Sequence, residues 1–350
     1  MCYNICNIND YRGLRPHDVA LERIHAMAYL LYFIPALAFT LVFLKLFIDR
    51  ISKTEFFRKK ENVDSIKKPC ISELHKHKAA TPSMGGLAIN LALLLSTAAY
   101  SIVSGRTLWI GFILLLFGIM GFADDYIKLK KIRDGVSPRQ KLLGQAAIGA
   151  ICVAYLYYAG QITAQTTIPF VGGAVAIALP AYLPLLVVLI VASSNSVNIT
   201  DGLDGLALGI NILALGFVIY YAHRVQDSDA LFVAVVLEAA CLAALFFNKH
   251  PAKIFMGDTG SLMLGGAVSV LLIKLGIPLF IPLVLIVCLF ETVSVVIQVF
   301  SLKFFKKRVF KIAPFHHHLE KCGWKETKIV CIFWGITAIF CFLAYLGGRI

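Results

Sequence analysis

Charge is scarce in this chain. Asp, Glu, Lys and Arg make up 15% of its 350 residues, where soluble domains carry about a quarter. Acid is the scarcer sign: 20 Asp and Glu stand against 33 Lys and Arg, for a formal net charge of +13. The nine cysteines include no C-x-x-C pair, which argues against the usual zinc and dithiol frameworks. Most read as small apolar fillers, with Cys2 and Cys6 spaced as a conceivable extracellular pair. There is no low-complexity tract and no convincing internal repeat, which leaves one continuous domain rather than an array. What remains is apolar: 59% of the residues are hydrophobic and the mean hydropathy is +0.80. A soluble globular domain is excluded.

The apolar residues fall in ten blocks of roughly 20, the length that crosses ~30 Å of hydrocarbon. They lie at about 27–48, 85–103, 107–124, 142–159, 180–197, 203–222, 230–248, 259–275, 278–300 and 329–347. This predicts an all-α polytopic membrane protein: one ten-helix transmembrane domain over 27–350 behind an N-terminal extension, 1–26. The extension carries Asp10, Arg12, Arg15, Asp18, Glu22 and Arg23 and no apolar core, so it does not read as a cleavable signal. The loops after the first, third, seventh and ninth blocks hold 25 of the 33 Lys and Arg. By the positive-inside rule these loops are cytoplasmic and both termini periplasmic. Basic residues gathered on one side of a membrane argue against nucleic acid as the partner; anionic membrane lipids or an anionic substrate account for them. The outer loop 161–180 has two β-like runs around Gly172-Gly173, a candidate hairpin. The segment SLKFFKKRVFKI, 301–312, suits a cytoplasmic interfacial helix, or a plain basic juxtamembrane stretch.

Five polar patches interrupt the apolar pattern: HKHKAATPSMGG (75–86), GFADDYIKL (121–129), NSVNITDGLDGLA (195–207), FFNKHPAKIFMGDTGS (246–261) and APFHHHLE (313–320). All five fall at block ends on the basic side, more than orientation signals require. Taken singly, their acids have local readings. Asp258 before Thr-Gly-Ser reads as a helix cap, Asp201 likewise, and Asp124 and Asp125 as solvated. Taken together they do not. Asp124 and Asp125 close a helix, where the macrodipole disfavours anions. Two carboxylates ~5 Å apart repel by ~3 kcal/mol at an effective dielectric of ~20. If Asp124, Asp125 and Asp258 share a site with Asp201 and Asp204, it needs a cation. Oxygen ligands without nearby cysteine suit Mg²⁺, which keeps waters and favours substrate phosphates.

The glycines around Asp201, Asp204 and Asp258 suit a phosphate or nucleotide partner or, equally, close helix packing. Lys78, Lys141 and the run His316-His317-His318 supply positive or switchable groups. Adjacent histidines do not converge on one ion in regular structure, so donation to phosphate fits better than zinc. Phe255 offers a stacking face for a base or a buried core ring. Glu238, Glu291 and Gln298 are costly in lipid and hint at function; Glu291 and Gln298 lie two turns apart on one face, expected to turn toward the site. Ion-coupled transport is a competing reading of these intramembrane acids, but transport sites lie near the midplane and the aspartates lie at one boundary.

These motifs resemble those of the phospho-N-acetylmuramoyl-pentapeptide-transferase family, within the polyprenyl-phosphate sugar-1-phosphate transferases, over about 27 to 347. The wider superfamily shares the Asp-Asp, Asn-x-x-Asp-Gly-x-Asp-Gly and Gly-Asp patterns; PFHHHLE marks the muramoyl-pentapeptide branch. The resemblance implies Mg²⁺-dependent transfer of phospho-MurNAc-pentapeptide from UDP-MurNAc-pentapeptide to undecaprenyl phosphate, giving lipid I and UMP, at the cytoplasmic face of a bacterial inner membrane, by a homodimer. It implies Asp258 as the magnesium ligand, Asp124 as the carboxylate that deprotonates or orients the lipid phosphate, and Asp125 as its essential neighbour. Lys78, Ser83, Lys141, Asn198, Asp201, Asp204, Asn248 and Phe255 would contact substrate, with Glu291 and Gln298 on the facing helix and His316, His317 and His318 in a loop over the sugar-peptide side. Ser83 stands where the commoner motif has Thr, and residues 1–26 have no counterpart in the pattern.

Overall fold

The computed structural model describes residues 16–50, 81–130, 135–171 and 173–349. Its helices are α1 (Pro16–Arg50), α2 (Gly86–Ser104), α3 (Trp109–Leu129), α4 (Pro138–Tyr158), α5 (Leu179–Thr200), α6 (Leu206–Arg224), α7 (Ser228–Asn248), α8 (Asp258–Lys274), α9 (Ile281–Val284), α10 (Ile286–Phe304), α11 (Phe315–Lys321) and α12 (Glu326–Gly347). Helix α1 runs across the expected boundary at residue 27. Cys2, Cys6 and Lys78 lie outside the described residues.

Local chemistry sets several ends. Helix α4 opens with a capping box: the Ser137 side chain accepts from the Gln140 N–H, the Gln140 side chain answers to the Ser137 N–H, and Pro138 occupies the first turn. Asp227 caps α7 by accepting from Ala230 N–H at 2.9 Å. Gly105 ends α2 at φ 67°, in the left-handed region.

Among the described residues nine helices are long and apolar enough to cross a membrane. The tenth expected span is α8, with 17 residues, about 25 Å at 1.5 Å per residue. Every residue of α8 after Asp258 is buried. It packs chiefly against α3 and α5, with α2 and α6 alongside, so it is the axis of the bundle rather than a lipid-facing span. A helix with no lipid surface need not match the bilayer thickness.

Two expectations need correction. The ninth block, 278–300, is not one helix. Pro278 opens a 3-10 turn over Pro278–Phe280, the four-residue α9 contains Pro282, and the long helix starts at Ile286 and runs on to Phe304. Each proline lacks the N–H that a continuing helix needs. The interfacial helix over 301–312 is absent as well. Ser301–Phe304 is the last turn of α10, and 305–314 is irregular. The expected hairpin is present: β1 (Gln165–Thr167) pairs antiparallel with β2 (Ala174–Ala176), Gln165 opposite Ala176.

Candidate active site

The described parts of the five polar patches gather at one end of the bundle, around the N-terminus of α8. Glycine allows the approach. A Cβ on Gly86, at the start of α2, would lie 2.2 Å from Gly260 N; one on Gly121 of α3 would lie 2.1 Å from Asp258 O. Backbone therefore meets backbone, and the last turns of α3 fall beside the first turn of α8. Oxygens of Asp124, Asp125 and Asp258 come within 4.8 Å of one another.

The two adjacent aspartates face different tasks. Asp125 Oδ1 accepts from Asp258 N–H at 3.2 Å, while Oδ2 accepts from Thr259 N–H at 2.9 Å and Thr259 Oγ1 at 2.7 Å. Asp125 thus caps α8 from another helix, satisfying orphan donors of its first turn. The N-cap position itself is Gly257, at φ 75°, where a Cβ would sit 2.6 Å from Asp125 Oδ2. Asp258 is therefore not the cap its sequence context allows; it is the residue being capped, and its carboxylate is left for the site.

Asp124 Oδ1 accepts from Val136 N–H at 2.6 Å. Its Oδ2 meets Lys128 Nζ at 2.5 Å and Lys141 Nζ at 3.5 Å. The same two ammonium groups hold Asp258 Oδ2, Lys141 at 2.5 Å and Lys128 at 2.9 Å. Asn198 Nδ2 donates to Asp258 Oδ1 and to Ser261 Oγ, both at 2.8 Å. Lys128 and Lys141 thus neutralise Asp124 and Asp258, and Asp125 beside them adds a negative charge that no ammonium group among the described residues contacts directly. The donor set is oxygen only and suits a hard divalent cation. Asp125 has both oxygens committed to the first turn of α8, whereas Oδ2 of Asp258 and of Asp124 is held only by lysine side chains, so those two oxygens are the ones that fit an ion. Lys128, 43% exposed at its side chain, has solvent to swing into.

A second cluster lies at the same end. Asp204, His250 and Glu326 bring ligand atoms within 4.8 Å of one another. Asp204 Oδ2 accepts from Ala252 N–H at 3.0 Å and lies 3.0 Å from His250 Nδ1. Glu326, the first residue of α12, accepts from Asp204 N–H at 2.6 Å and lies 3.4 Å from the same ring nitrogen. These contacts tie the α5–α6 loop to the α7–α8 loop. Asn248 reinforces the tie, accepting from Gly205 N–H at 3.0 Å and donating to Ile254 O at 2.8 Å. Asp201 closes α5 rather than capping α6, which starts instead behind Gly205 at φ 78°.

The remaining candidates are distributed around this frame. The half-buried Phe255 docks by backbone, donating to Pro82 O and accepting from Gly85 N–H, each at 2.8 Å. That brings Ser83 next to Gly257. His316 is fully buried, its ring against Gly202 and its Nδ1 3.2 Å from Glu291 Oε2. Its backbone N–H also donates to Glu291, at 3.1 Å. His317 Nδ1 pairs with Glu320 at 2.7 Å, and His318 Nδ1 accepts from Lys311 N–H at 3.1 Å. The His316 and His317 rings touch edge to face, 4.2 Å between centroids, while the His318 ring stacks on Phe315 at 5.4 Å, and each ring has a different polar partner. Gln298 Oε1 accepts from the N–H groups of Val309 and Phe310 at 3.2 and 2.9 Å. Glu291 and Gln298 do share a face, but that face grips the 309–316 segment instead of opening on the aspartates.

Sequence reasoning missed Lys128, Ser261, His250 and Glu326. Lys128 was within reach, four residues after Asp124 on one helix, a spacing that pairs opposite charges. Glu326 carried no local signal, since its partner Asp204 is 122 residues away.

The chain matches the family model described as glycosyl transferase family 4 over residues 107–276. It is 41% identical over 279 residues to the phospho-N-acetylmuramoyl-pentapeptide-transferase of Acetivibrio thermocellus, covering 79% of this chain and 84% of that protein. The proteins of the same name from Clostridioides difficile and Halalkalibacterium halodurans are 37% and 39% identical, with 86% and 84% of their lengths covered.

Proposed function

The chain belongs to the phospho-N-acetylmuramoyl-pentapeptide-transferase family, and from that premise we propose that it transfers phospho-MurNAc-pentapeptide from UDP-MurNAc-pentapeptide to undecaprenyl phosphate, giving lipid I and UMP. The observation that carries the reading is the meeting of Asp124, Asp125 and Asp258 within 4.8 Å at one end of a helical bundle. One substrate is water-soluble and the other presents its head at the interface, so the reacting groups must assemble at span ends.

Phosphoryl transfer between two anions is mostly positioning and charge neutralisation. Asp258 would hold Mg²⁺, with Asp124 beside it. When bound, the ion offsets charge on the donor pyrophosphate and on the departing UMP. Lys128 and Lys141 then pass from carboxylate to phosphate oxygens, for which ammonium is a point-charge partner. The acceptor phosphate is already largely ionised near pH 7, with a second pKa near 6. Asp124 therefore orients the acceptor rather than deprotonating it. Asp125 keeps α8, and with it Asp258, in place. The α5–α6 and α7–α8 loops with Asn198, Asp201, Asp204, Asn248 and Phe255 supply the nucleoside and sugar-phosphate side together with Lys78 and Ser83. The segment gripped by Glu291 and Gln298 carries His316, His317 and His318 to the sugar-peptide side.

The acidic cluster lies at the helix ends that lead into the Lys- and Arg-rich loops of the sequence, which supports a cytoplasmic-face site in a bacterial inner membrane. We take 27–350 as one catalytic domain, acting as a homodimer. The test uses purified protein, radiolabelled UDP-MurNAc-pentapeptide, undecaprenyl phosphate and Mg²⁺. Lipid-linked label and stoichiometric UMP are expected, with UDP-N-acetylglucosamine giving neither. Turnover of UDP-N-acetylglucosamine instead would move the protein to the related UDP-sugar transferases, against which PFHHHLE argues.

A further inference from the structure

The lipid-facing stripe of α10 runs straight into the basic segment that follows it. Phe290, Val293, Ile297, Phe300 and Phe304 recur at helical spacing, and all are exposed. On a span, such a stripe faces acyl chains. It continues past the helix end in Phe305 and Val309, 65% and 55% exposed. Lys303, Lys306, Lys307, Arg308 and Lys311 are interleaved with them and exposed. No acidic residue occurs between 302 and 314. Apolar anchors at the end of a span with five cations interleaved among them match the boundary between acyl chains and anionic headgroups.

The segment is not helical, yet it is built. Ser301 Oγ donates to Lys307 O at 2.8 Å, Gln298 receives two backbone N–H groups from it, and Lys311 N–H donates to His318 Nδ1 at 3.1 Å. These bonds set its backbone and leave the basic side chains outward. The last one joins it to α11, whose His316 lies against Gly202 of the α5–α6 loop. We infer that residues 303–311 form a binding surface for the headgroups of anionic bulk phospholipids, and that an occupied surface steadies α11 over the active site. The coupling to activity rests on the proposed reaction; the lipid surface does not.

The test compares wild-type protein with a Lys306→Gln/Lys307→Gln/Arg308→Gln variant and with a charge-matched control, Lys321→Gln/Lys325→Gln/Lys328→Gln. Each is placed in nanodiscs of phosphatidylcholine alone or with a third phosphatidylglycerol. Retained phosphatidylglycerol is counted by native mass spectrometry, and turnover is measured at saturating polyprenyl phosphate, so that the substrate's own headgroup is not limiting. Each basic side chain near an anionic surface is worth about fivefold in affinity. The loop variant should therefore bind phosphatidylglycerol on the order of a hundredfold more weakly. Wild type should turn over faster with phosphatidylglycerol than without it, and a wild type indifferent to this lipid overturns the coupling; the loop variant should lose that rise and keep the wild-type rate in phosphatidylcholine, which also reports that it folds. The control should behave as wild type. Equal retention by the loop variant and wild type overturns the surface, as does equal loss in both triple variants, which would mean net charge alone. Loss of lipid with unchanged turnover overturns the coupling and leaves the surface. If the wild type turns over no donor in any disc, the proposed reaction fails while lipid retention still decides the surface.

Discussion

The two ends of α8 both carry ion pairs, and they are built on different plans. At its C-terminus Lys274 meets Asp227, one charge against one. Asp227 also caps α7, so the cation sits at a helix C-terminus and the anion at a helix N-terminus, where each dipole favours it. Nothing is left over. At the N-terminus Asp124 Oδ2 and Asp258 Oδ2 each take both lysines, and the cluster holds a third carboxylate, Asp125, with no ammonium partner of its own among the described residues. The first arrangement is complete as it stands and fastens helices. The second is charge-unbalanced, and under the proposed function a divalent cation and an anionic substrate would complete it. A balanced buried pair points to architecture, an unbalanced one to a ligand.

The largest expected effect lies at the unbalanced end. Asp258→Asn should lower turnover on the order of 10³-fold while the melting temperature in detergent stays within a few degrees of wild type; near-normal turnover would erase the distinction. Next, chelation of divalent metal by EDTA should abolish turnover, and Mg²⁺ should restore it. Thermal melts of the two forms should separate for wild type and coincide for Asp258→Asn. At the balanced end the pattern should invert. Lys274→Met leaves Asp227 without its partner and should cost about 3 kcal/mol of stability, the low end for a buried pair because Asp227 keeps 22% of its side-chain surface. Chemical unfolding reads that loss, and turnover per folded molecule should not change. The smallest effect belongs to Arg106→Gln. This removes an exposed pair with Asp229 that joins the α2–α3 loop to α7 and should cost below about 1 kcal/mol. A loss of turnover there would mean that the far end is coupled to the site.

Much of the fold was legible in the residues. Block length and hydropathy announced the spans, and turn residues announced the hairpin, while the start of α4 at Pro138, four residues before the expected 142, rests on a capping box that hydropathy does not report. Errors fell where one local rule competed with another. The apolar run 278–300 passes a hydropathy test, but Pro278 and Pro282 break it. The basic-apolar segment 301–312 has the composition of an interfacial helix, but the side chains of Ser301, Gln298 and His318 take its backbone groups. At the site, the residue types that assemble were readable and their division of labour was not. Asp124 and Asp125 look equivalent in the string; one faces two lysines and the other caps a helix more than a hundred residues away.

By itself the sequence determined that this chain enters a bilayer many times, which of its ends is basic, and which acids, glycines and histidines must gather at that end. Those are properties of single segments, set by length, hydrophobicity and spacing. Only the tertiary structure decided that α8 is wrapped on all sides, that Asp125 serves α8 and frees Asp258, and that Glu291 and Gln298 hold a loop. Each of those depends on which donors a folded backbone leaves unsatisfied, and that is fixed by helices meeting across long stretches of chain.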